Sequence, residues 1–314
     1  MPDGCMWPQG NQAGPTSVVR RGQPPGCSPP RYRGWMSSDT ADRSLRHWSE
    51  DGRRTMDAFY VLATQDYREL AGARDWAAEL RSRSDDGVLQ LLDVACGSGK
   101  FPAALLAAGL PDALADVRIE VDLLDPSAFS LTEARQVLRA PFVARDDLEV
   151  GLEHLDAADR ADDVAWATHA LYAVPPDLLG DGLARMDAAL RPGGWGVIAH
   201  ATSRSHYLAV YDAYRASHAP QATPYTTAEE VADRLRDIGI APEVQVLHYR
   251  TGTDDPTVAE GFLQRCLFDD GISLQTMVAP GPTSDALARY LADCRDGDRW
   301  HFDHEVHLLS WTSH

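Results

Sequence analysis

Leu91-Leu92-Asp93-Val94-Ala95-Cys96-Gly97-Ser98-Gly99-Lys100-Phe101-Pro102 decides the fold of this chain. An apolar run ends in a carboxylate, then in a turn of small residues, and a helix start follows. A buried strand that breaks into glycines lets a ligand lie against the backbone. The helix beyond it aims its first amides at that ligand. A dinucleotide-binding turn would read G-x-G-x-x-G or end in alanine. Counted from Gly97, the sixth position is Pro102, which has no N–H to donate and suits a helix start. Asp93, at the strand end, disfavours a pyrophosphate and favours a cationic ligand.

Upstream of this turn, Trp48, Phe59, Leu62, Tyr67, Leu70, Trp76 and Leu80 recur at helical spacing between Asp42 and Ser82. Downstream, strand and helix signals alternate. FPAALLAAGL (101–110) reads as helix, VRIEVDLLD (117–125) as strand, SLTEARQVLRA (130–140) as helix and LEVGLEHL (148–155) as a third strand. ADDVAWATHAL (161–171) and GWGVIAHA (194–201) read as strands around the helical PDLLGDGLARMDAALR (176–191). Such alternation with apolar strands predicts an α/β fold, Rossmann-like and doubly wound, with a mostly parallel seven-stranded sheet covered on both faces. Helices are expected at 205–218 and 226–239, a strand at EVQVLHYR (243–250), more helix over 256–294, and a closing edge or hairpin strand in RWHFDHEVHLLSW (299–311).

The organisation that follows is a disordered tail over 1–35, whose Pro, Gly, Ser and Arg cannot build a core, helices over 36–86, and a ligand-binding domain over 87–314. Helical insertions interrupt that domain around 203–240 and 256–296. The formal net charge of -18 argues against nucleic-acid or anionic-membrane partners. Five cysteines, Cys5, Cys27, Cys96, Cys266 and Cys294, form no CxxC pair, which fits a reduced, cytoplasmic protein. No metal site is expected. His301, His304 and His307 lie in a strand-like segment, where His304 faces opposite to the other two. Cys96 reads as a small packing residue of the turn rather than a nucleophile.

A second carboxylate is expected at the end of the next strand, to bond ribose hydroxyls. IEVDLLDPS supplies Asp122 and Asp125. Asp125 is preferred because it follows the apolar Leu123-Leu124 pair and precedes a Pro-Ser helix start, which also brings Pro126 to the turn. Asp122 is expected to point away, or into a solvated edge. Leu152, Glu153 and His154 close the expected third strand, where this fold cradles an adenine.

Asp93-Val94-Ala95-Cys96-Gly97-Ser98-Gly99 resembles the D-x-G-x-G-x-G motif of class I S-adenosylmethionine (SAM)-dependent methyltransferases, with Ala95 in the first glycine's place. More narrowly, Asp125-Pro126-Ser127, Thr168-His169-Ala170-Leu171-Tyr172-Ala173-Val174 and the aromatic helix after Ser203 resemble the histamine N-methyltransferase group. The resemblance implies SAM as cofactor, converted to S-adenosylhomocysteine (SAH), and a small-molecule acceptor. It implies cofactor contacts from Asp93 to Gly99, at Asp125 and Pro126, at Leu152 and Glu153, and at Thr168. It also implies that His169, Tyr172 and Tyr60 meet the acceptor, that Tyr207 and His206 stand on the acceptor wall, and that the N-terminal helices with Tyr60, Gln65 and Tyr67 close over the cofactor as a lid. A glutamine often holds the His169 position in that group, so the acceptor's identity does not carry over.

SAM is already activated, so the protein's task is to align a nucleophile and exclude water. An amine or imidazole acceptor gives up a proton, and His169 is the expected base. The reading that results is N-methylation of a specialised metabolite. The alternatives are O- or C-methylation, or a catalytically dead SAM-binding or protein-binding module.

Overall fold

The strands carry continuous apolar runs because they are buried from both sides. The computed structural model describes residues 39–50, 53–279 and 285–314, and the tail expected over 1–35 lies outside them. Three helices come first: α1 (Asp39–His47), α2 (Arg53–Gly72) and α3 (Trp76–Arg81). The α/β run follows as β1 (Val88–Val94), α4 (Lys100–Ala107), α5 (Leu110–Ala113), β2 (Arg118–Leu124), α6 (Ala128–Val137), β3 (Phe142–Leu148), β4 (Asp162–Thr168), α7 (Leu179–Ala188) and β5 (Leu190–Ala201). Helices α8 (His206–His218) and α9 (Ala228–Asp237) precede β6 (Glu243–Thr253). Helices α10 (Pro256–Leu267), α11 (Leu274–Val278) and α12 (Ala286–Asp293) precede β7 (Arg295–Asp296) and β8 (Arg299–Thr312).

The sheet runs β3-β2-β1-β4-β5-β8-β6, with the short β7 paired to β8. The five strands from β3 to β5 are parallel, and β8 is antiparallel to both β5 and β6. The period-two alternation is visible in the burial. Leu89 and Leu91 of β1 join Trp166 and Trp76 on one face, while Leu92 and Val94 join Ala165 and Ala167 on the other. A third apolar cluster lies off the sheet, where Leu62, Tyr211, Phe262 and Phe302 bring α2, α8, α10 and β8 together.

Two strand expectations are corrected. The third strand is FVARDDL, not LEVGLEHL. An edge strand needs no double-sided apolar run, so its charges did not advertise it, and Gly151 breaks the later segment into a turn around Leu152–His154. The last strand is not at an edge. β8 threads between β5 and β6 and forms a hairpin only with the two-residue β7, leaving β6 outermost. Asp122 points away from the site as expected, but it is buried rather than solvated. Burial alone would raise its pKa, yet the hydrogen bonds from Arg145 (2.6 Å) and Arg160 (2.7 Å) outweigh that and hold it below the usual carboxylate range.

Candidate functional site

The turn after β1 bends sharply because three of its residues take positive φ: Ala95 (49°), Gly97 (52°) and Gly99 (69°). Ala95 holds a left-handed conformation that a β-carbon disfavours, which is why the resembled motif has glycine there. Gly99 has a different duty from the one expected. It does not line the cavity; a β-carbon there would lie 3.1 Å from Cα of Ala134, so glycine lets α4 start against α6.

A cavity of about 310 Å³ opens beside the turn. Asp93, Ala95, Cys96, Gly97 and Ser98 line it from the turn, Asp125 and Pro126 from the end of β2, Leu152 and Glu153 from the loop after β3, and Thr168 and His169 from the end of β4. These strand ends meet because parallel strands point their carboxyl ends the same way. Asp125 braces the turn by accepting from the Gly97 N–H (3.0 Å) and the Ser127 N–H (2.9 Å). The Ser127 hydroxyl in turn donates to the carbonyl of Trp48 (2.6 Å), which ties the N-terminal helices to the site. From those helices come Trp48, Tyr60 and Tyr67. Tyr60 accepts a hydrogen bond from Ser98 (3.3 Å), and the Lys100 ammonium lies 4.2 Å from its ring centre. Gln65 instead donates to Glu69.

Burial sets the electrostatics. Asp93 is 2% exposed and its Oδ2 makes no full hydrogen bond among the described residues; burial raises its pKa to about 7 against the nearby Trp166 indole N–H, with the Asp125 charge adding to the rise. Burial likewise lifts Asp125 to about 6, against the bonds from Ser127 and Gly97. A buried carboxylate that is short of hydrogen bonds is costly unless a cation meets it. Burial pushes the Cys96 thiol up, so it stays protonated as packing.

A second, smaller cavity of about 70 Å³ adjoins the first, and Trp48, Tyr67, His169, Tyr172 and Phe268 line both. Its other walls include Phe59, Asp66, Tyr207, Tyr225 and Arg265. His169 sits at a left-handed turn (φ 54°) where β4 ends. Burial, then the neighbouring His200 and His304, lowers its pKa to about 3, so the imidazole is neutral. Tyr172 Oη accepts from the Ala201 N–H (3.3 Å), which leaves its hydroxyl proton for Nδ1 of His169 (2.9 Å). That network assigns the ring proton to Nε2.

His206 is the acceptor-wall residue that the structure takes out of the site. It lines neither cavity; Nδ1 bonds Tyr290 (2.9 Å) and the ring packs against Phe302 and Phe262. Successive helix positions diverge, so Tyr207 faces the second cavity and its neighbour cannot. Asp66 was not anticipated from the sequence. It is 3% exposed on α2, accepts from the Tyr207 hydroxyl (2.5 Å), has the Tyr249 hydroxyl nearby, and makes no full hydrogen bond through Oδ1 among the described residues. Its only sequence signal was a carboxylate on the apolar face of a helix.

Residues 91–194 match the model of a methyltransferase domain. That stretch gives the chain a methyltransferase domain, with the activity of a SAM-dependent methyltransferase and SAM as cofactor. The residues present fit that group: the buried Asp93 carboxylate lines the cavity where a cationic arm would meet it, and the cavity volume suits a nucleoside carrying an amino-acid arm. No curated protein matches the methyltransferase in sequence. Among solved structures it is similar to a candidate methyltransferase of Bacillus halodurans C-125, at 14% identity and TM-score 0.51, over 76% of this chain and 98% of that one. Magnesium protoporphyrin IX methyltransferase of Synechocystis, solved with SAH, has 12% identity and TM-score 0.49, over 86% and 99%. A Thermotoga maritima protein described as a possible histamine N-methyltransferase has 15% identity and TM-score 0.42, over 66% and 84%. At these identities the likeness is one of fold. Among the described residues, no helix is long and apolar enough to cross a membrane.

The raised carboxylates predict how the methyltransferase responds to pH. Asp66 and Asp93 are raised to about 7 and Asp125 to about 6, so the native state holds these protons more tightly than the unfolded chain. Their contribution therefore falls as pH rises from about 4, the unfolded value, through about 7. A cationic ligand that needs ionised Asp93 works the other way. The rise in melting temperature on adding SAM is expected to be larger at pH 8 than at pH 5.5. An increment that is flat or reversed over that window would remove Asp93 from donor binding.

Proposed function

We propose that this methyltransferase moves the SAM methyl group to a nitrogen of a small-molecule acceptor. The observation that carries the reading is the second cavity, walled largely by aromatic rings, which adjoins the first across His169 and Tyr172. In this reading Asp93 meets the aminoacyl end of SAM, Asp125 the ribose, and Leu152 and Glu153 the adenine. Thr168 and the turn from Ala95 to Ser98 line the remainder. SAM supplies an electrophilic methyl on a sulfonium, and the residues of this chain bind, orient and keep out water.

The faces of Tyr67, Tyr172, Tyr207 and Tyr225 suit the positive charge of a sulfonium and of a methylated ammonium product. Trp48, Tyr60 and Tyr67 act as a lid over the donor, held by the Ser127 bond to Trp48. His169 faces the acceptor. Its neutral ring offers Nε2–H as a donor, so it orients the acceptor rather than taking its proton.

A labelled-methyl screen over amines, phenols and heterocycles tests the acceptor. Transfer only to oxygen or carbon would overturn the nitrogen reading, and SAM binding without any transfer would mark a dead site. His169→Asn, which tolerates the left-handed turn, is expected to lower turnover about tenfold, the loss of one buried hydrogen bond. SAM affinity by calorimetry should stay within about threefold, well under 1.4 kcal/mol. Equal losses in both would give His169 a purely structural role.

A further inference from the structure

The geometry points to Asp66 as the residue that receives the acceptor's N–H proton, with the second cavity as the seat of a small aliphatic ammonium group. This inference rests on the nitrogen-acceptor reading and assigns its substrate class and base.

Three observations meet at Asp66. One is the spare accepting capacity of a residue that lines the cavity: Oδ2 accepts from the Tyr207 hydroxyl, while Oδ1 is buried and makes no full hydrogen bond among the described residues, its nearby donor being the Tyr249 hydroxyl on β6. A carboxylate oxygen can only accept, so its complement carries N–H or O–H. Another is size. About 70 Å³ is well under the roughly 150 Å³ that admits a benzene ring, so the cavity takes an aminoalkyl head while the rest of the acceptor extends into the larger space. The last is the wall, where Phe59, Tyr67, Tyr172, Tyr207 and Tyr225 surround one carboxylate, an arrangement that selects a cation.

Arg265 also lines the cavity, and its charge opposes a cation. Its guanidinium is spent elsewhere, donating to the His47 carbonyl and lying 4.6 Å from the Trp48 ring centre. His169 cannot serve as base, because its Nδ1 accepts from Tyr172 and its Nε2 already carries a proton. The proton step then balances within the cavity. The ammonium N–H bond breaks, its electron pair stays on nitrogen, an Oδ1–H bond forms and the carboxylate becomes neutral. The freed lone pair is the nucleophile, and the proton passes to solvent once the product leaves.

The test measures the binding of propylamine, propanol and propionate to the full chain saturated with SAH, by calorimetry. Propylamine is expected to bind about tenfold or more tightly than the other two, and Asp66→Asn to remove that preference. Asn keeps the shape of the side chain and an oxygen for Tyr207, and the wild-type comparison needs no variant at all. Amine binding that Asp66→Asn leaves unchanged would overturn the role of Asp66 while sparing the nitrogen reading. Preference for propionate or propanol would overturn both, and no binding of any probe would overturn the subsite.

Discussion

Asp93→Asn is expected to weaken SAM binding at least about tenfold, or about 1.4 kcal/mol, while the ligand-free protein keeps or gains stability. The two effects separate because the carboxylate is a burden until the donor arrives. Burial has raised its pKa to about 7 against the nearby Trp166 indole N–H, and Oδ2 makes no full hydrogen bond among the described residues. An amide of the same shape removes the buried charge and loses the attraction for a cation, in a cleft where that attraction is poorly screened. Calorimetry with SAM and a melting curve on the same sample measure both. Unchanged affinity in a folded variant would refute the assignment of this cleft to the donor.

Trp166→Ala is expected to cost about 3–5 kcal/mol of folding free energy, the range for emptying a buried aromatic site. Its ring is fully buried on β4, with centroids 5.0 Å from Phe101, 6.3 Å from Phe142 and 6.4 Å from Trp76. Three elements besides β4 therefore face one void, and none can collapse into it without moving another. Trp166 is also the register partner of Asp93 across the parallel β1–β4 pair, so the strand end that presents the donor carboxylate loosens with it. Chemical denaturation measures the loss, and Val143→Ala on the exposed edge strand serves as control, at under about 1 kcal/mol. A loss at Trp166 no greater than at Val143 would mean that this face of the sheet is not the core.

The comparison of sequence with structure divides by the range of the signal. The turn after β1 was legible because a strand end, a carboxylate, small residues and a helix start all lie within a dozen positions. Asp93, Asp125, Thr168 and His169 were each marked by a strand end, and parallel strands bring their ends to one edge of the sheet. β3 was misread because an edge strand carries charge, and β8 was placed at the margin because sequence order says nothing about insertion between β5 and β6. The helical stripe after Ser203 gave both His206 and Tyr207 to the acceptor wall; packing of α8 on α10 and β8 kept only Tyr207 there.

The sequence by itself determined the alternation of strands and helices, the bend after Val94 and the pair of acids beside it, since each is a local pattern of burial or backbone freedom. Only the tertiary structure decided which side chains share a cavity. Asp66 on α2 and Tyr207 on α8 stand far apart along the chain, and their meeting at the wall of one cavity depends on how helices from three separate segments pack together. Packing of that kind is fixed by the whole core at once, and no short stretch of residues encodes it.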